Sequence, residues 1–368
     1  MKTPILGQDS LVRYVETRIF GENIDATGIS EINQYNGCLN STLESALSGF
    51  SGVSRVKQKN EREPMYSTGD RLFFAQWSGF GRGKRYESNI NAYKDITGRD
   101  ISFNIMEKDG LSRKTNIAYD DFCYDFVMGL FVPEKKYESC RIFSDFTVND
   151  IDTIVFGPLG SFGSQGKVLM KGTSEYLDSQ IVDISGKIIL NLGYVYSDQA
   201  GRIIDKILRE YEGIARDSGR LDRKDIYMFG RVGGLMEGHS VNDLVLPNGV
   251  LDQTELSNGA HTTRFNNSLG NFGNAPQFVL NVPTVIDETV EDLVHARELG
   301  AVCAEMETRE SIIAIDLARS RYHNLKVNFG FIGYVSDVPL SGVTLADEPD
   351  CSKGEIRAAE YVAERIRK

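Results

Sequence analysis

From about residue 150 onward the chain alternates short apolar runs with longer stretches of helical periodicity. That alternation restricts this part to an α/β domain. Asp152–Phe156 and Lys187–Leu192 read as buried strands. Between Gln199 and Arg216, Ile203, Ile204, Ile207, Leu208, Tyr211 and Ile214 recur at helical spacing. Asp225–Phe229, Leu244–Pro247, Gln277–Leu280, Ala301–Ala304 and Val327–Val335 are further strand candidates. Helices are expected over Glu288–Leu299, with Gly300 as C-cap, around Ile312, Ile315 and Ala318, and over about Lys353–Ile366.

The first 150 residues differ in texture, being rich in Asn, Ser, Tyr and Gly with short strand candidates such as Arg71–Trp77. They carry 19 basic and 21 acidic groups, against 22 and 31 in the remainder. A boundary near 145–152 follows, giving an α+β domain over 1–148 and an α/β domain over 149–368. Two domains also suit 368 residues at roughly 150 residues each.

Composition excludes several classes. With 41% hydrophobic and 10% aromatic residues the chain can bury full cores, so it is neither disordered nor collagen-like. A net charge of −11 argues against wrapping nucleic acid by bulk charge, though not against a local basic pocket. No apolar run approaches the ~18 residues of a membrane span, and the first residues lack the apolar core of a secretory signal. Five scattered cysteines without a CxxC, and only four histidines, show no zinc spacing. Free thiols in a reducing cytoplasm are expected, with no metal and no cofactor.

Strand ends are where an α/β sheet places its ligands, and three carry unusual residues. Gly230-Arg231-Val232-Gly233-Gly234-Leu235 lets backbone N–H groups face a ligand, or is a tight strand-to-helix turn. Glu305-Met306-Glu307 brackets a methionine with carboxylates, or caps a helix. Ser336-Asp337 ends an apolar strand, where Asp also caps turns.

In this order, over residues 150–368, the three motifs resemble those of the purine nucleoside phosphorylase and methylthioadenosine nucleosidase superfamily. Ile154–Leu159 resembles that family's first strand and phosphate loop. Gly193–Ser197 resembles its second glycine turn, and Asn242–Pro247 its Gly-Asp-Val-Val strand. The fold implied is a three-layer domain with a central mixed sheet flanked by helices, assembled as a homo-oligomer. Residues 1–148 carry no such resemblance.

Carried over residue by residue, the resemblance implies that Glu307 holds the ribose hydroxyls and Met306 packs on the ribose face. Asp337 would donate to N7 of a departing purine, which requires a carboxyl that keeps its proton near neutrality. Glu305, Gly230, Arg231, Gly233, Gly234, Ser336, Gly157, Ser161 and Ile286 complete the binding set. Departures from the family pattern bear on the co-substrate. Ser161 and Met228 stand where family phosphorylases carry phosphate-gripping arginines. That favours water, yet Gly157–Ser164 lacks the acidic residue with which family nucleosidases activate it. Arg231 replaces a small hydroxyl residue and would meet inorganic phosphate, a nucleotide 5′-phosphate, or solvent. Ile286 replaces an aromatic that stacks on the base.

Other candidates weigh less. His239 reads as a surface histidine before a ligand contact. Ser257–Gly273, with His261 and Arg264, reads as a lid or an ordinary long loop. Gly79–Arg85 reads as a solvated hairpin loop before a phosphate or nucleic-acid contact. The function expected is hydrolytic cleavage of the N-glycosidic bond of a purine nucleoside or nucleotide. The alternatives are a phosphorylase using inorganic phosphate and a non-catalytic nucleoside-binding protein on the same fold.

Overall fold

A computed structural model describes residues 5–20, 24–36, 43, 47–48, 50–56, 65–76, 80–107, 146, 150–172, 178–193, 195, 198–218, 222–258, 262–270, 276–283, 288–323, 325–347 and 349–368. Its contacts divide the chain into two compact units. One is Leu6–Phe122, and the other is Cys123–Lys368 together with Met1–Ile5. The first residues belong to the second unit because the Ile5 N–H donates to Glu288 O (3.1 Å) and its side chain packs against the cluster around Leu235 and Leu251.

In the smaller unit, strand β1 (Glu31–Asn36) lies parallel between β4 (Arg71–Gln76) and β5 (Ser102–Glu107). Strands β2 (Ser54–Arg55) and β3 (Met65–Thr68) extend the sheet antiparallel beyond β4. Helix α1 (Gln8–Val15) packs against α2 (Phe80–Thr97). The expected hairpin loop over Gly79–Arg85 is therefore wrong, since Phe80–Arg85 begin α2. Tyr86, Ile90 and Tyr93 recur at helical spacing and are buried, and that burial outweighs the poor helix propensity of the preceding glycines.

The larger unit has a mixed sheet flanked by helices, as the resemblance implies. Strands β6 (Thr153–Phe156), β9 (Lys187–Leu192), β10 (Asp222–Gly234) and β16 (Leu325–Asp337) run parallel. Strands β7 (Lys167–Gly172) and β8 (Ser179–Ile184) add an antiparallel hairpin beyond β9. On the far side of β10, β15 (Ala301–Glu305) joins β14 (Phe278–Asn281), β12 (Gly249–Asp252) and β13 (Thr262–Arg264), while β11 (Leu244–Val245) pairs with β16. Strands β6 and β15 are buried at every residue, which explains why they read as continuous apolar runs.

Helices cover both faces because β10 alternates its side chains. Its Tyr227 and Phe229, with Ile332 and Tyr334 of β16, pack under α7 (Ser352–Arg367) through Ala358, Ala359, Val362 and Ile366. Its Lys224 points the other way, with Nζ 4.2 Å from the Tyr211 ring of α4 (Asp198–Ser218). The same ammonium donates to Ile151 O (2.9 Å), so this buried cation is held by a carbonyl and a π face. Helix α3 (Leu159–Gly163) follows β6, and α5 (Val290–Glu298) and α6 (Thr308–Arg321) flank β15. No described helix is long and apolar enough to cross a membrane.

One correction bears on the site. Gly230–Gly234 form no strand-to-helix turn but continue β10. Strand β16 runs beside them as far as Gly233, and this long-range ladder overrides the local turn preference of three glycines. The segment expected as a lid or an ordinary long loop is also partly strand, since Thr262–Arg264 pair with β12.

Candidate active site

The three sequence motifs meet where three strands end. Gly233 of β10 is opposite Ala304 of β15 on one side and Asp337 of β16 on the other. Glu305, Met306 and Glu307 continue directly from Ala304. The β10–β16 register slips after Val232, whose partner is Val335, whereas the partner of Gly233 is Asp337. Ser336 is thus the extra residue of a β-bulge, which locally re-aims the side chains of its strand. The Ser336 hydroxyl donates to Asp337 Oδ1 (2.8 Å) and lies 3.3 Å from Val232 O.

Asp337 is buried, and burial pushes its carboxyl up to about 7. The Ser336 hydroxyl and the more distant Arg231 charge pull it back only in part. A side-chain carbon on Gly233 would sit 3.6 Å from Asp337 Oδ2, so the glycine leaves the space beside this carboxyl open.

Glu305 is buried as well, but its Oε2 accepts the N–H groups of Glu307 (2.6 Å) and Thr308 (2.9 Å). It caps the start of α6, the bland alternative for this motif. Burial, and then the Glu307 charge, raise its carboxyl far above the ordinary range. Met306 and Glu307 are half-buried beside it. Met306 packs against the same apolar cluster as Leu340, which follows Asp337 by three residues.

Arg231 is exposed, and its charge reaches both Asp337 and Cys351, the residue before α7. Asn242, where the resemblance places a glycine, adopts a left-handed φ of 79°. Its carboxamide accepts from Gly354 N (2.6 Å) and donates to Asp350 O (3.0 Å), tying the loop after β10 to the start of α7. Asn tolerates that conformation better than other residues with a side chain.

His239, expected at the surface, is half-buried. Its Nδ1 is buried without a partner among the described residues, 3.0 Å from where a Cβ on Gly234 would stand. Burial lowers its pKa, with Asp243 opposing. The imidazole therefore backs the glycine run from behind.

The loop after β6 is closed by its own hydrogen bonds. The Gly157 N–H donates to Leu192 O (3.0 Å), and Gly157 O accepts from Asn191 Nδ2 (3.2 Å). Buried Gln180 donates to Leu159 O (2.7 Å) and to Asn191 Oδ1 (2.8 Å). Gly157 is required because a Cβ there would lie 2.2 Å from the Phe229 ring, at a φ of 156°. The Ser161 hydroxyl donates to Pro158 O (3.2 Å), so it turns inward instead of towards an anion.

Sequence reasoning missed the roles of these amides, buried Gln180 and Asn191 and half-buried Asn242. Asn and Gln carry no local signal that separates a buried clamp from a surface loop residue. Ile286 and His261 lie outside the described residues. Among the described residues no group of three or more His, Cys, Asp or Glu is placed to hold a metal.

No protein-family model matches this chain, and no curated protein does. Solved structures similar to it include the 5′-methylthioadenosine/S-adenosylhomocysteine nucleosidase of Neisseria meningitidis with methylthio-immucillin-A. That protein is 15% identical, with a TM-score of 0.43 over 59% of this chain and 99% of the other. The futalosine hydrolase of Helicobacter pylori strain 26695 is 10% identical, with a TM-score of 0.43 over 60% and 97%. A methylthioadenosine/S-adenosylhomocysteine nucleosidase from Helicobacter pylori with butyl-thio-DADMe-Immucillin-A gives 10%, 0.43, 59% and 97%.

Proposed function

We propose that this protein cleaves the N-glycosidic bond of a purine nucleoside or nucleotide, using water as the acceptor. The observation that carries the reading is Asp337, a buried carboxyl that keeps its proton to about pH 7 where three strand ends meet. A purine leaves readily only as a neutral species, so a protonated carboxyl aimed at N7 acts where the barrier lies. Glu307 accepts the ribose hydroxyls and steadies the sugar as it becomes oxocarbenium-like, with Met306 on the ribose face. Water is favoured over phosphate because the Gly157 N–H and the Ser161 hydroxyl are both engaged within the protein. In this reading Arg231, exposed on β10, is the cation that meets a 5′-phosphate. In this reading residues 149–368 are the catalytic domain of a cytoplasmic homo-oligomer, and 1–148 form a separate domain.

The test is incubation with purine nucleosides and 5′-nucleotides, with and without inorganic phosphate, followed by chromatography. Free base with free sugar is expected. Sugar 1-phosphate formed only with phosphate would replace hydrolysis by phosphorolysis, and no base release under any condition would sink the glycosidase reading.

The Glu307→Gln variant is expected to lower kcat/KM on ribosides by about 10-fold or more, the worth of a hydrogen bond to a charged group. It should affect 2′-deoxyribosides less, since these lack one of the partners. Equal losses on both sugars would remove Glu307 from ribose binding.

A further inference from the structure

Glu305 has a second oxygen whose surroundings call for a proton. Its Oε2 takes two backbone N–H groups at the start of α6, while its Oε1 is buried with no partner among the described residues. Asn281, the last residue of β14, stands opposite Glu305 in the parallel register, so both side chains leave the same face of the sheet. Asn281 Oδ1 is also buried without a partner. Two orphaned acceptors on neighbouring strands would leave two buried groups unsatisfied, each at a cost of about 1–3 kcal/mol. A single proton between them satisfies both.

We infer that Glu305 is held as a neutral carboxylic acid whose Oε1 proton is donated to Asn281 Oδ1, latching the start of α6 and thereby positioning Glu307. The surrounding charges agree. Glu307 repels a second carboxylate two residues away. Cys303, on the same strand, is buried with its thiol pushed far up. From the adjoining elements, the Arg309 guanidinium is engaged by Asp252 Oδ2 and Glu310 Oε1, both at 2.6 Å. Among the described residues no cation lies within ion-pairing distance of Glu305. The amide N–H groups at the start of α6 and the Thr308 hydroxyl favour a negative charge, but burial and Glu307 outweigh them. The role of Glu307 rests on the glycosidase reading, whereas the protonation of Glu305 does not, so its test needs no turnover.

Glu305→Gln replaces the neutral acid by a neutral amide of the same shape. Its carbonyl can accept the two N–H groups while its NH2 donates to Asn281 Oδ1. The variant is expected to fold, and to keep its stability better than wild type as pH rises from the ordinary carboxylate range through about 8. Glu305→Ala, which leaves the α6 amides without their acceptor, should unfold earlier than either at every pH. The infrared difference between wild type and Glu305→Gln at neutral pH should show one protonated carboxyl band, and Asn281→Ala should shift it. The inference is overturned if that band is absent. It is equally overturned if Glu305→Gln does not fold, or if wild type loses stability relative to it as pH falls, the sign expected of an ionised Glu305 held by a turned-over Asn281 amide.

Discussion

Replacing Asp337 by Asn is expected to reduce turnover by roughly 10²–10⁴ while the protein stays folded, the size of a lost general-acid contribution. Asn keeps the oxygen that accepts from Ser336, so the bulge that aims residue 337 should survive. The same exchange should change how stability depends on pH. The folded-state carboxyl is raised from 3.8 to about 7. Below its ordinary value both folded and unfolded chains hold the proton, and the shift costs nothing. As pH rises from there through about 7, the unfolded chain gives up its proton first, and wild type loses stability. At about 1.4 kcal/mol per pH unit the loss amounts to about 4 kcal/mol. Asp337→Asn should escape it and unfold at higher denaturant than wild type at pH 8, but not at pH 4. Parallel stability curves for the two proteins would contradict a buried, protonated Asp337, and unchanged turnover would remove it from the chemistry.

Asn267→Ala is expected to cost the larger unit much of its stability. The buried carboxamide makes four hydrogen bonds. Its Nδ2 donates to Pro247 O and Phe331 O, both at 2.7 Å, and its Oδ1 accepts from Leu269 N (3.1 Å) and Phe331 N (3.2 Å). It thereby joins the loop before β12 to the middle of β16, the strand that ends in Ser336 and Asp337. Alanine would leave four buried backbone groups without their partner, a cost of about 3 kcal/mol or more. The check is the denaturant midpoint at unchanged m-value. An unmoved midpoint would show that the strand does not depend on this clamp.

Much of the larger unit was legible because its signals are local. The run Thr153-Ile154-Val155-Phe156 reads as a strand, and the isoleucines of α4 read as a helix, since each pattern lies within a few residues of itself. The β7–β8 hairpin escaped notice because β7 is an edge strand, largely half-buried or exposed, without a continuous apolar run. Phe80–Arg85 were misread because their glycines mark a turn locally, while the helix they begin runs on through the buried Tyr86, Ile90 and Tyr93.

The sequence by itself determined the alternation of strands and helices, the residue types at three strand ends, and the order in which they occur. Only the tertiary structure decided that Gly230–Gly234 continue a strand, that Ser336 is the bulged residue that re-aims Asp337, and that Glu305 is committed to α6. It also decided that the His239 Nδ1 faces inward, that Asn191 and Asn267 are buried, and that the Asn281 Oδ1 is. The physical reason is separation along the chain. Helix and strand periods are set by neighbours a few residues apart, whereas Gly233 meets Ala304 and Asp337 through pairings that span 71 and 104 residues. Burial, and with it the proton on Asp337, follows from those distant partners and has no counterpart in the local sequence.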